Sequence, residues 1–529
     1  MFHDANHIDD GREIQADLCI IGAGPAGIAI ARELLGSRLR VAVLAGGGFA
    51  EDRSTQKLYS GVNVGIESFT PYLSRVRRFG GSTSRWAGMS RPFEPMDFEK
   101  RSFVPHSGWP VSAEEMRPYY ARAHEFSNLG AYDYGVDRWM SKKRGVLPVD
   151  ERMIDLRVYQ FAYPRDLGET CRDDFDSARN VDVYLHAHAL ELEADPDVRG
   201  LVGVRAASSS GGRLRFRAER FVLACGGLEN PRLLLASDGI ATAGLGNRHD
   251  LVGRYFTDHP FFYTGWFEPS TGAPNHGLHV IDDYADVGSK QPAMAAMALS
   301  EDVLRREELN SAVLYLIRRP RHKTAPEYVA PGRQSLNQIW DGLFGRDEIS
   351  HPGRRLKDVA LGLPGVGRSL ALQALDAVRP GSRLALRTTI EATPNPESRV
   401  RLGRDRDRFG VQKVEIDWRL NGDDRRGHVR LFEVLRAELA RIGAGRLVED
   451  GTEGDAGWPI SMSGGMHHMG TTRMHDDPRQ GVVDPDCRVH DLSNLYVAGS
   501  SVFTTGGVAN PTLTIIALAL RLADHLEGR

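Results

Sequence analysis

The first clear pattern in the chain is a pair of short apolar runs with a helix-like segment between them. Ala16–Ile21 and Arg40–Leu44 are the apolar runs, and each predicts a short buried strand. The segment between them starts in a glycine-rich turn, continues to about Leu35 and meets a natural helix stop at Gly36. Strand, helix and strand within roughly 30 residues predict a β-α-β unit of a parallel sheet.

The turn that opens this helix has the spacing G-x-G-x-x-G, formed by Gly22, Gly24 and Gly27. Gly22 allows the tight turn, Gly24 lets a pyrophosphate approach the backbone, and Gly27 lets the helix pack on the strand. Pro25 and Ala26 lie at the helix N-terminus, whose free amides face the phosphates. The context favours dinucleotide binding over a structural glycine turn, but it does not separate FAD from NAD.

The second strand lacks the residue that completes this motif. An acidic side chain normally ends that strand and accepts the ribose hydroxyls, whereas here Ala45 is followed by Gly46–Gly48. Either Glu51 or a neighbouring backbone group replaces the acid, or the adenosine ribose is held less firmly.

Further strands follow in the middle of the chain. Val181–Leu185, Leu201–Val204 and Leu214–Leu223 carry strand patterns, and Cys225–Gly227 forms a glycine turn before a predicted helix at Asn230–Ala236. This arrangement predicts that the chain returns to the nucleotide-binding sheet.

A second group of elements has the pattern of an antiparallel sheet with helices. Arg387–Arg401 and Gln412–Leu420 predict strands, and Asp423–Ile442 predicts a helix. Pro320–Gly353 is rich in proline, glycine and charge, and is interpreted equally well as a cover over the site or as a surface loop.

The carboxyl-terminal region alternates short β-like runs with turns before one apolar helix. Leu495–Ser501 is such a run and contains Gly499, and the helix extends from Pro511 to about Leu526. Asn510 and Pro511 form a common helix start, with asparagine as N-cap and proline in the first turn.

Composition narrows the class of protein. The 529 residues are 41% hydrophobic and 26% charged with a net charge of −3, which predicts a soluble globular protein and no nucleic-acid partner. The four cysteines form no C-x-x-C pair, which fits a reducing compartment. No targeting segment is visible, and the apolar run Leu513–Leu520 is shorter than the roughly 20 residues of a membrane span. We therefore expect a cytoplasmic protein without a membrane partner.

Two adjacent histidines carry the candidate chemistry. His467 and His468 lie in a glycine-flanked segment, and imidazole is the side chain whose pKa lies nearest neutrality. In extended backbone the two rings face opposite ways, so one of them is expected to be structural. The two histidines have no third metal ligand at a suitable spacing in the sequence, so no metal site is predicted.

The segment from Arg78 to Gly88 is rich in glycine and serine and ends near an aromatic residue, Trp86. Together with the glycine turn at 22–27 and the block from Gly465, it resembles the glucose-methanol-choline (GMC) oxidoreductases, especially the branch acting on sugars. The other stretches that share this resemblance are Ala224–Arg232, Asp258–Pro260, Pro394–Val400 and Asp417–Leu420.

This resemblance implies an alcohol-oxidising enzyme that uses FAD. The family pattern H-x-x-G-T falls on His467, Gly470 and Thr471, which implies that His467 is the general base. Asn510 and His468 are expected to hold the substrate oxygen. Some members attach FAD through a histidine before the loop tryptophan, but this chain has Arg85 there, which implies non-covalent FAD. The expected cofactor-binding residues are Gly22, Gly24, Pro25, Ala26, Gly27, Gly80, Gly81, Ser82, Trp86, Ala87, Gly88, Gly226, Gly499, Asn510, Pro511 and Thr512.

The implied fold class is α/β: a discontinuous Rossmann-like FAD-binding domain plus an α+β substrate domain with an antiparallel sheet. The FAD-binding domain is expected at 1–93, 172–260 and 451–529, and the substrate domain at 94–171 and 261–450.

The resemblance also limits the partners. It implies a polyhydroxylated small molecule, either a free sugar, a glycoside or an aminoglycoside natural product, and leaves the electron acceptor open between oxygen and an unknown molecule. An aminoglycoside should meet a carboxylate-lined pocket, because its ammonium groups need partners. The alternatives are an NAD(P)-dependent dehydrogenase and a flavin-binding protein without catalysis.

Overall fold

The computed structural model describes residues 1–66, 70–139, 147–270, 292–320, 335–337, 339–340, 352–378, 382–449, 458–459 and 461–528. The strands are β1 (Phe2–Asp4), β2 (Arg12–Gln15), β3 (Leu18–Ile21), β4 (Val41–Ala45), β5 (Gly61–Asn63), β6 (Met89–Ser90), β7 (Ile154–Phe161), β8 (Val181–Leu185), β9 (Ala187–Ala194), β10 (Leu201–Ser208), β11 (Arg213–Arg217), β12 (Arg220–Leu223), β13 (Pro260–Pro269), β14 (Ala293–Leu299), β15 (Ala312–Pro320), β16 (Ser382–Ile390), β17 (Arg399–Arg406), β18 (Gln412–Asp417), β19 (Gly445–Glu449), β20 (Ser463–Gly464) and β21 (Leu495–Val497). The α-helices are α1 (Pro25–Glu33), α2 (Arg53–Gln56), α3 (Pro95–Phe98), α4 (Ala113–Phe126), α5 (Val136–Trp139), α6 (Leu167–Thr170), α7 (Arg172–Asp176), α8 (Glu229–Ala236), α9 (Glu301–Glu307), α10 (Pro352–Leu361), α11 (Leu363–Val378), α12 (Arg426–Arg441) and α13 (Thr512–Glu527).

A six-stranded parallel sheet forms the centre of one part of the molecule, in the order β1-β8-β4-β3-β12-β21. The side chains of β3 and β4 are all buried, as the apolar runs predict. Helix α1 connects these two neighbouring strands and packs on α13. The predicted β-α-β unit is therefore confirmed, with element ends shifted by one or two residues.

A second, larger sheet is antiparallel and runs in the order β19-β13-β16-β15-β14-β7-β6, with β20 paired to β13. Helix α12 packs against this sheet and buries its apolar face in a separate hydrophobic core. The two sheets confirm the predicted combination of a Rossmann-like part and an antiparallel α+β part. Two smaller sheets, β2-β11-β10-β9 and β17-β18-β5, complete the described structure.

Two sequence predictions in the second part are wrong in detail. The predicted strand Arg387–Arg401 is interrupted, because residues 391–398 form an irregular connection between β16 and β17. Pro394 and Pro396 fall in this connection, and proline lacks the N–H that a strand ladder needs. The helix predicted from Asp423 begins as α12 at Arg426, after a short 3-10 helix at Gly422–Arg425.

The strands of the parallel sheet fall in three separate segments, within residues 1–93, 172–260 and 451–529. However, β6 and β20 also fall in these segments although they belong to the antiparallel sheet. The exact limits of the two domains stay a prediction. Most of the segment Pro320–Gly353 lies outside the described residues.

Candidate active site

A cavity of about 750 Å³ lies at the carboxyl ends of the parallel strands. The loops that follow β3, β4, β12 and β21 all line it, together with residues from the loop after β5 and from the start of α13. Ligands of open α/β sheets bind at this edge, and the volume is within the range of cofactor and substrate sites.

The glycine turn has the geometry that its spacing predicts. Gly22 has a φ of +113°, and a Cβ there would lie 2.5 Å from the carbonyl oxygen of Ala224. A Cβ at Gly27 would collide with the carbonyl oxygen of Gly22 at 1.9 Å, so this glycine is required for packing. Gly24 borders the cavity, and a Cβ there would meet no atom within 4 Å. The turn therefore leaves its open side to a ligand.

Of the expected cofactor-binding residues, all but three line the cavity. The exceptions are Gly27, Gly80 and Gly88, and each of them packs against protein instead. A Cβ at Gly80 would meet the backbone of Gly168 at 2.6 Å, and one at Gly88 would meet the carbonyl oxygen of Ala162 at 2.9 Å. These glycines shape the loop but do not border the cavity.

The other residues predicted around the cavity edge have partners within the protein. Arg85 lines the cavity and pairs with Glu51, whose Oε1 accepts from the guanidinium Nε at 2.9 Å. Glu51 does not line the cavity, so it is the least supported of the three alternatives for the missing ribose acid. The indole of Trp86 donates to the carbonyl oxygen of Arg165 at 2.8 Å.

His467 is fixed in place through its backbone. The buried carboxylate of Asp258 accepts hydrogen bonds from the amides of Gly465, Met466 and His467 at 2.9, 3.1 and 2.8 Å. Met466 has a φ of +62°, an uncommon conformation for a residue with a side chain. Asp258 therefore holds the segment in a strained turn that presents the His467 ring to the cavity.

A chain of hydrogen bonds fixes the tautomer of His467. The Nε2 atom of the buried His259 donates to the carbonyl oxygen of Gly506 at 3.1 Å, so the neutral ring has an acceptor at Nδ1. His467 Nδ1 lies 2.8 Å from that atom and must be the donor. The lone pair of His467 is consequently on Nε2, which faces the side-chain amide of Asn510 at 3.4 Å.

Both rings of this pair are held neutral. Burial lowers the pKa of His259 to about 4. Burial, the ring of His259 and the guanidinium of Arg387 hold the pKa of His467 well below its usual range. A neutral imidazole with a lone pair aimed at the cavity can accept a proton at physiological pH.

His468 also lines the cavity but has other neighbours. Its ring lies 6.0 Å from that of Phe256, its carbonyl accepts from the hydroxyl of Ser500 at 2.6 Å, and burial lowers its pKa to about 3. In the described part of the chain it makes no hydrogen bond to His467 or Asn510. A Cβ at Gly227 would meet the His468 carbonyl oxygen at 2.2 Å, so this glycine lets the segment approach the turn.

The prediction that Asn510 caps the last helix is wrong. Helix α13 begins at Thr512, Pro511 occupies the N-cap position, and no side chain of the described residues caps the helix. Asn510 instead directs its amide to His467. In the H-x-x-G-T pattern, Thr471 is buried and donates to the carbonyl oxygen of Gly227 at 2.7 Å, which ties the histidine segment to the second glycine turn.

Sequence reasoning missed two features of this site. Asp258 and His259 were noted only as part of a resemblance, although a polar Asp-His-Pro at the start of the apolar strand β13 was a usable signal. Arg387 was assigned to a strand and given no role. It lines the cavity from β16, and its guanidinium lies over the rings of Phe261 and Tyr315, at 4.8 and 5.6 Å.

The residues around the cavity fit a bound FAD. Gly24, Gly226 and Gly499 all border the cavity, and a Cβ at each would enter open space rather than protein. Such a glycine-lined edge accepts a close approach of a dinucleotide to the backbone. The turn at 22–26 and the N-terminus of α1 would hold the pyrophosphate.

The described residues contain neither a cluster of metal ligands nor a membrane-spanning helix. No three His, Cys, Asp or Glu side chains in them come together as a metal site requires. None of the helices described is long and apolar enough to cross a membrane.

The chain matches two family models. Residues 394–519 match a family described as GMC oxidoreductase, and residues 17–245 match one described as FAD dependent oxidoreductase. The second match covers the β-α-β unit and the glycine turn and favours FAD over NAD(P). The first covers the histidine pair and Asn510.

Similar proteins extend over nearly the whole chain. A 2-methyl-1,2-propanediol dehydrogenase of Mycolicibacterium austroafricanum is 24% identical over 97% of this chain and 96% of that protein. A 6'''-hydroxyparomomycin C oxidase of Streptomyces lividus is 26% identical over 97% of this chain and 92% of that protein. The solved structure of pyridoxine 4-oxidase from Mesorbium loti has a TM-score of 0.56 at 16% identity and covers 97% of this chain and 99% of that one, which shows a shared fold.

Proposed function

Because this chain belongs to the glucose-methanol-choline family of FAD-dependent oxidoreductases, we propose that it oxidises a hydroxyl group of a sugar-like substrate to a carbonyl, with His467 as general base. The observation that carries the proposal is the hydrogen-bond chain from Gly506 through His259 to His467. It leaves the unprotonated Nε2 of His467 facing the cavity beside the amide of Asn510.

In the proposed reaction the substrate hydroxyl lies against His467 and Asn510. His467 Nε2 accepts the hydroxyl proton, while Nδ1 keeps its hydrogen bond to His259. The Asn510 amide donates to the substrate oxygen and orients the carbinol carbon. FAD, when bound, supplies the acceptor for the hydride that leaves this carbon. One proton and one hydride are thus removed, and the C–O single bond becomes a double bond.

The surroundings of the pair suit this role. Burial lowers the pKa values of His467, His259 and His468, so all three rings are neutral at physiological pH. The N-terminal end of α13 borders the cavity at Pro511 and Thr512. Its partial positive charge would stabilise negative charge that develops near that end.

We further propose that FAD is held without a covalent bond to the loop before Trp86. The residue at the position used for attachment in some family members is Arg85, which cannot form that bond. Support comes from its pairing with Glu51, which directs its guanidinium to a carboxylate.

For the substrate, the charges around the cavity favour a neutral sugar or glycoside over an amino sugar at the reacting end. Glu229 and Asp407 are the carboxylates among the described lining residues, and both pair with Arg232, at 3.0 and 2.7 Å. Among the charged residues that line the cavity, the one that acts on His467 is Arg387, a cation. A substrate ammonium group beside it would be repelled.

The proposal is tested by anaerobic reduction of the holoenzyme with a panel of neutral glycosides, free sugars, aminoglycosides and small diols. Bleaching of the flavin absorbance identifies a substrate, and later exposure to air shows whether oxygen is the acceptor. His467→Ala should retain FAD but lower the rate of bleaching by about 10²-fold to 10⁴-fold, the usual contribution of a general base.

The matched control is His249→Ala, since His249 is exposed and does not line the cavity. It should bleach at the wild-type rate. An unchanged rate in His467→Ala would exclude this residue as the base, and bleaching by none of the panel would exclude the proposed substrate class.

A further inference from the structure

The place at the end of β4 where nucleotide-binding folds carry an acid is occupied by an arginine from another loop. Ala45 ends the strand and is buried, so no side chain of that residue reaches the cavity. Arg77 lines the cavity at the same place. A Cβ added to Gly46 would lie 2.8 Å from Nε and 3.0 Å from Nη2 of Arg77. The guanidinium therefore lies directly against the backbone that follows the strand.

The glycines after β4 make room for this arginine. A side chain at Gly46 would meet the guanidinium, and a Cβ at Gly47 would lie 2.2 Å from the Arg77 carbonyl oxygen. The loss of the acid at Ala45 and the run of glycines after it are thus parts of one arrangement, in which the loop carrying Arg77 packs against the strand end.

Arg77 has an unused hydrogen-bond donor. Its Nε is buried and has no hydrogen-bond partner among the described residues. The side chain is 14% exposed, and it borders a cavity that is open to a ligand. Protein covers this Nε, so a ligand in the cavity does not reach it. Nη1 lies 3.7 Å from the Glu229 carboxylate, beyond hydrogen-bond distance, and makes no hydrogen bond to the described residues, so it can donate to a bound ligand.

The guanidinium is held in position by three neighbours. Its Nη1 lies 3.7 Å from the Glu229 carboxylate, its Nη2 lies 3.4 Å from His188 Nδ1, and its centre lies 5.0 Å from the ring of Tyr59. Burial lowers the pKa of His188 to about 2, so this ring is neutral and can accept at Nδ1. Its Nε2 donates to the hydroxyl of Ser209 at 2.8 Å.

We propose that Arg77 replaces the acidic residue of β4 and donates hydrogen bonds to the adenosine ribose hydroxyls of FAD. A ribose hydroxyl can donate or accept, so an arginine can hold it as a carboxylate does, with the direction of the hydrogen bond reversed. Arg77 lies against the backbone that follows β4, whereas the glycine turn at 22–26, which would hold the pyrophosphate, follows the neighbouring strand β3. The assignment rests on FAD occupying the cavity.

The test measures binding of FAD to the apoprotein by the change in flavin fluorescence, which needs no turnover. Wild type, Arg77→Met and a control, Arg404→Met, are each titrated with FAD and with analogues that lack the 2′- or the 3′-hydroxyl of the adenosine ribose. Arg404 is exposed on β17 and does not line the cavity.

We expect wild type and Arg404→Met to bind at least one deoxy analogue about 10-fold to 100-fold more weakly than FAD. Arg77→Met should bind FAD more weakly than wild type does, by a similar factor. It should also bind FAD and that analogue equally well. The assignment would be overturned if Arg77→Met bound FAD as tightly as wild type does. It would also be overturned if the loss of affinity caused by the substitution and the loss caused by the missing hydroxyl were additive.

Two controls separate this assignment from folding and from the proposed function. Should Arg77→Met be unfolded by circular dichroism, Arg77→Lys is compared in the same titrations, since it retains the charge without the planar set of guanidinium donors. It should lose the discrimination, and retained discrimination would overturn the assignment. Equal binding of FAD and both analogues by wild type also overturns it, whereas failure of wild type to bind FAD at all contradicts the cofactor itself.

Discussion

The Nδ1 atoms of His259 and His467 lie 2.8 Å apart, so one of the two neutral rings must donate its proton to the other. The carbonyl of Gly506 decides the direction, because it takes the proton of His259 Nε2. His467 is left with one tautomer, in which the basic nitrogen faces the cavity. His259, which does not line the cavity, therefore sets the tautomer of the proposed base.

Removing the acceptor on His259 should impair the proposed base without removing FAD. In His259→Phe, Nδ1 of His467 has no partner, so we expect flavin reduction to slow about 10-fold to 100-fold, in line with the loss of a well-aligned base. Rapid-mixing measurements under anaerobic conditions give this rate, and the absorbance of the purified protein reports retained flavin.

His259→Asn is the matched variant, because its side-chain oxygen can accept close to the position of Nδ1. It should recover part of the rate and restore the wild-type pH profile. Equal rates for the Phe and Asn variants would show that this hydrogen bond does not position His467.

The rate of flavin reduction should be nearly independent of pH above about pH 6.5. The base must be neutral to act, and the pKa of His467 is held well below 6.5 by burial, His259 and Arg387. Its protonation, and the resulting loss of rate, should therefore occur only in more acidic solution. Reduction rates at saturating substrate over a pH series check this, and a midpoint near pH 7 would contradict it.

Gly465→Ala should disturb the same pair by steric contact. A Cβ there would lie 3.0 Å from His467 Nδ1, which is too close while that atom binds His259. We expect a loss of about 10-fold or more in the reduction rate with FAD still bound. Gly422→Ala is the control, since its Cβ meets no atom within 4 Å. Similar rates in both variants would argue against a tight His467 site.

Arg387→Gln should change both the pH profile and the substrate preference. The guanidinium lowers the pKa of His467, so its removal should shift the acidic limb of the profile to higher pH. The KM for amino sugars should fall relative to that for neutral glycosides, because a repulsive charge is lost. Arg383→Gln on the same strand is the control, since that arginine lies over Trp266 and does not line the cavity. A parallel change of both KM values would show that Arg387 does not read substrate charge.

The stability of the protein should fall as the pH decreases from 6.5 to 5. The histidines at positions 188, 259, 428 and 468 have pKa values lowered to about 2, 4, 3 and 3, and that of His467 is also lowered. Between pH 6.5 and pH 5 these rings become protonated in the unfolded chain but stay neutral in the folded chain. The free energy of unfolding therefore rises with pH by about 1.4 kcal/mol per proton and pH unit.

Three buried carboxyls oppose this trend. Burial raises the pKa of Asp97 to about 7 and that of Asp258 to about 6, and it also raises the pKa of Asp424, so the folded state holds protons there that the unfolded state releases. They are outnumbered by the five histidines, and the net slope stays positive. Thermal unfolding at a series of pH values measures it, and a melting temperature that increases on acidification would contradict the balance.

The sequence by itself determined the local elements of the nucleotide site. The strands before and after the first turn, the helix between them and the separate roles of Gly22, Gly24 and Gly27 all follow from spacing within about 30 residues. Backbone dihedral preferences and the periods of strand and helix act at this range, so the pattern in the chain is sufficient. His467 and Asn510 were predicted as catalytic residues from a resemblance rather than from spacing, and their roles stay a proposal.

Only the tertiary structure decided which distant residues meet. His259 and His467 are separated by 208 positions, and Arg77 reaches the backbone at Gly46 from a different loop. The same holds for Asn510, which fits a helix cap by local pattern but bonds to a histidine instead. Such contacts depend on the order of strands in the sheets and on which loops then pack together, and no local periodicity encodes that order.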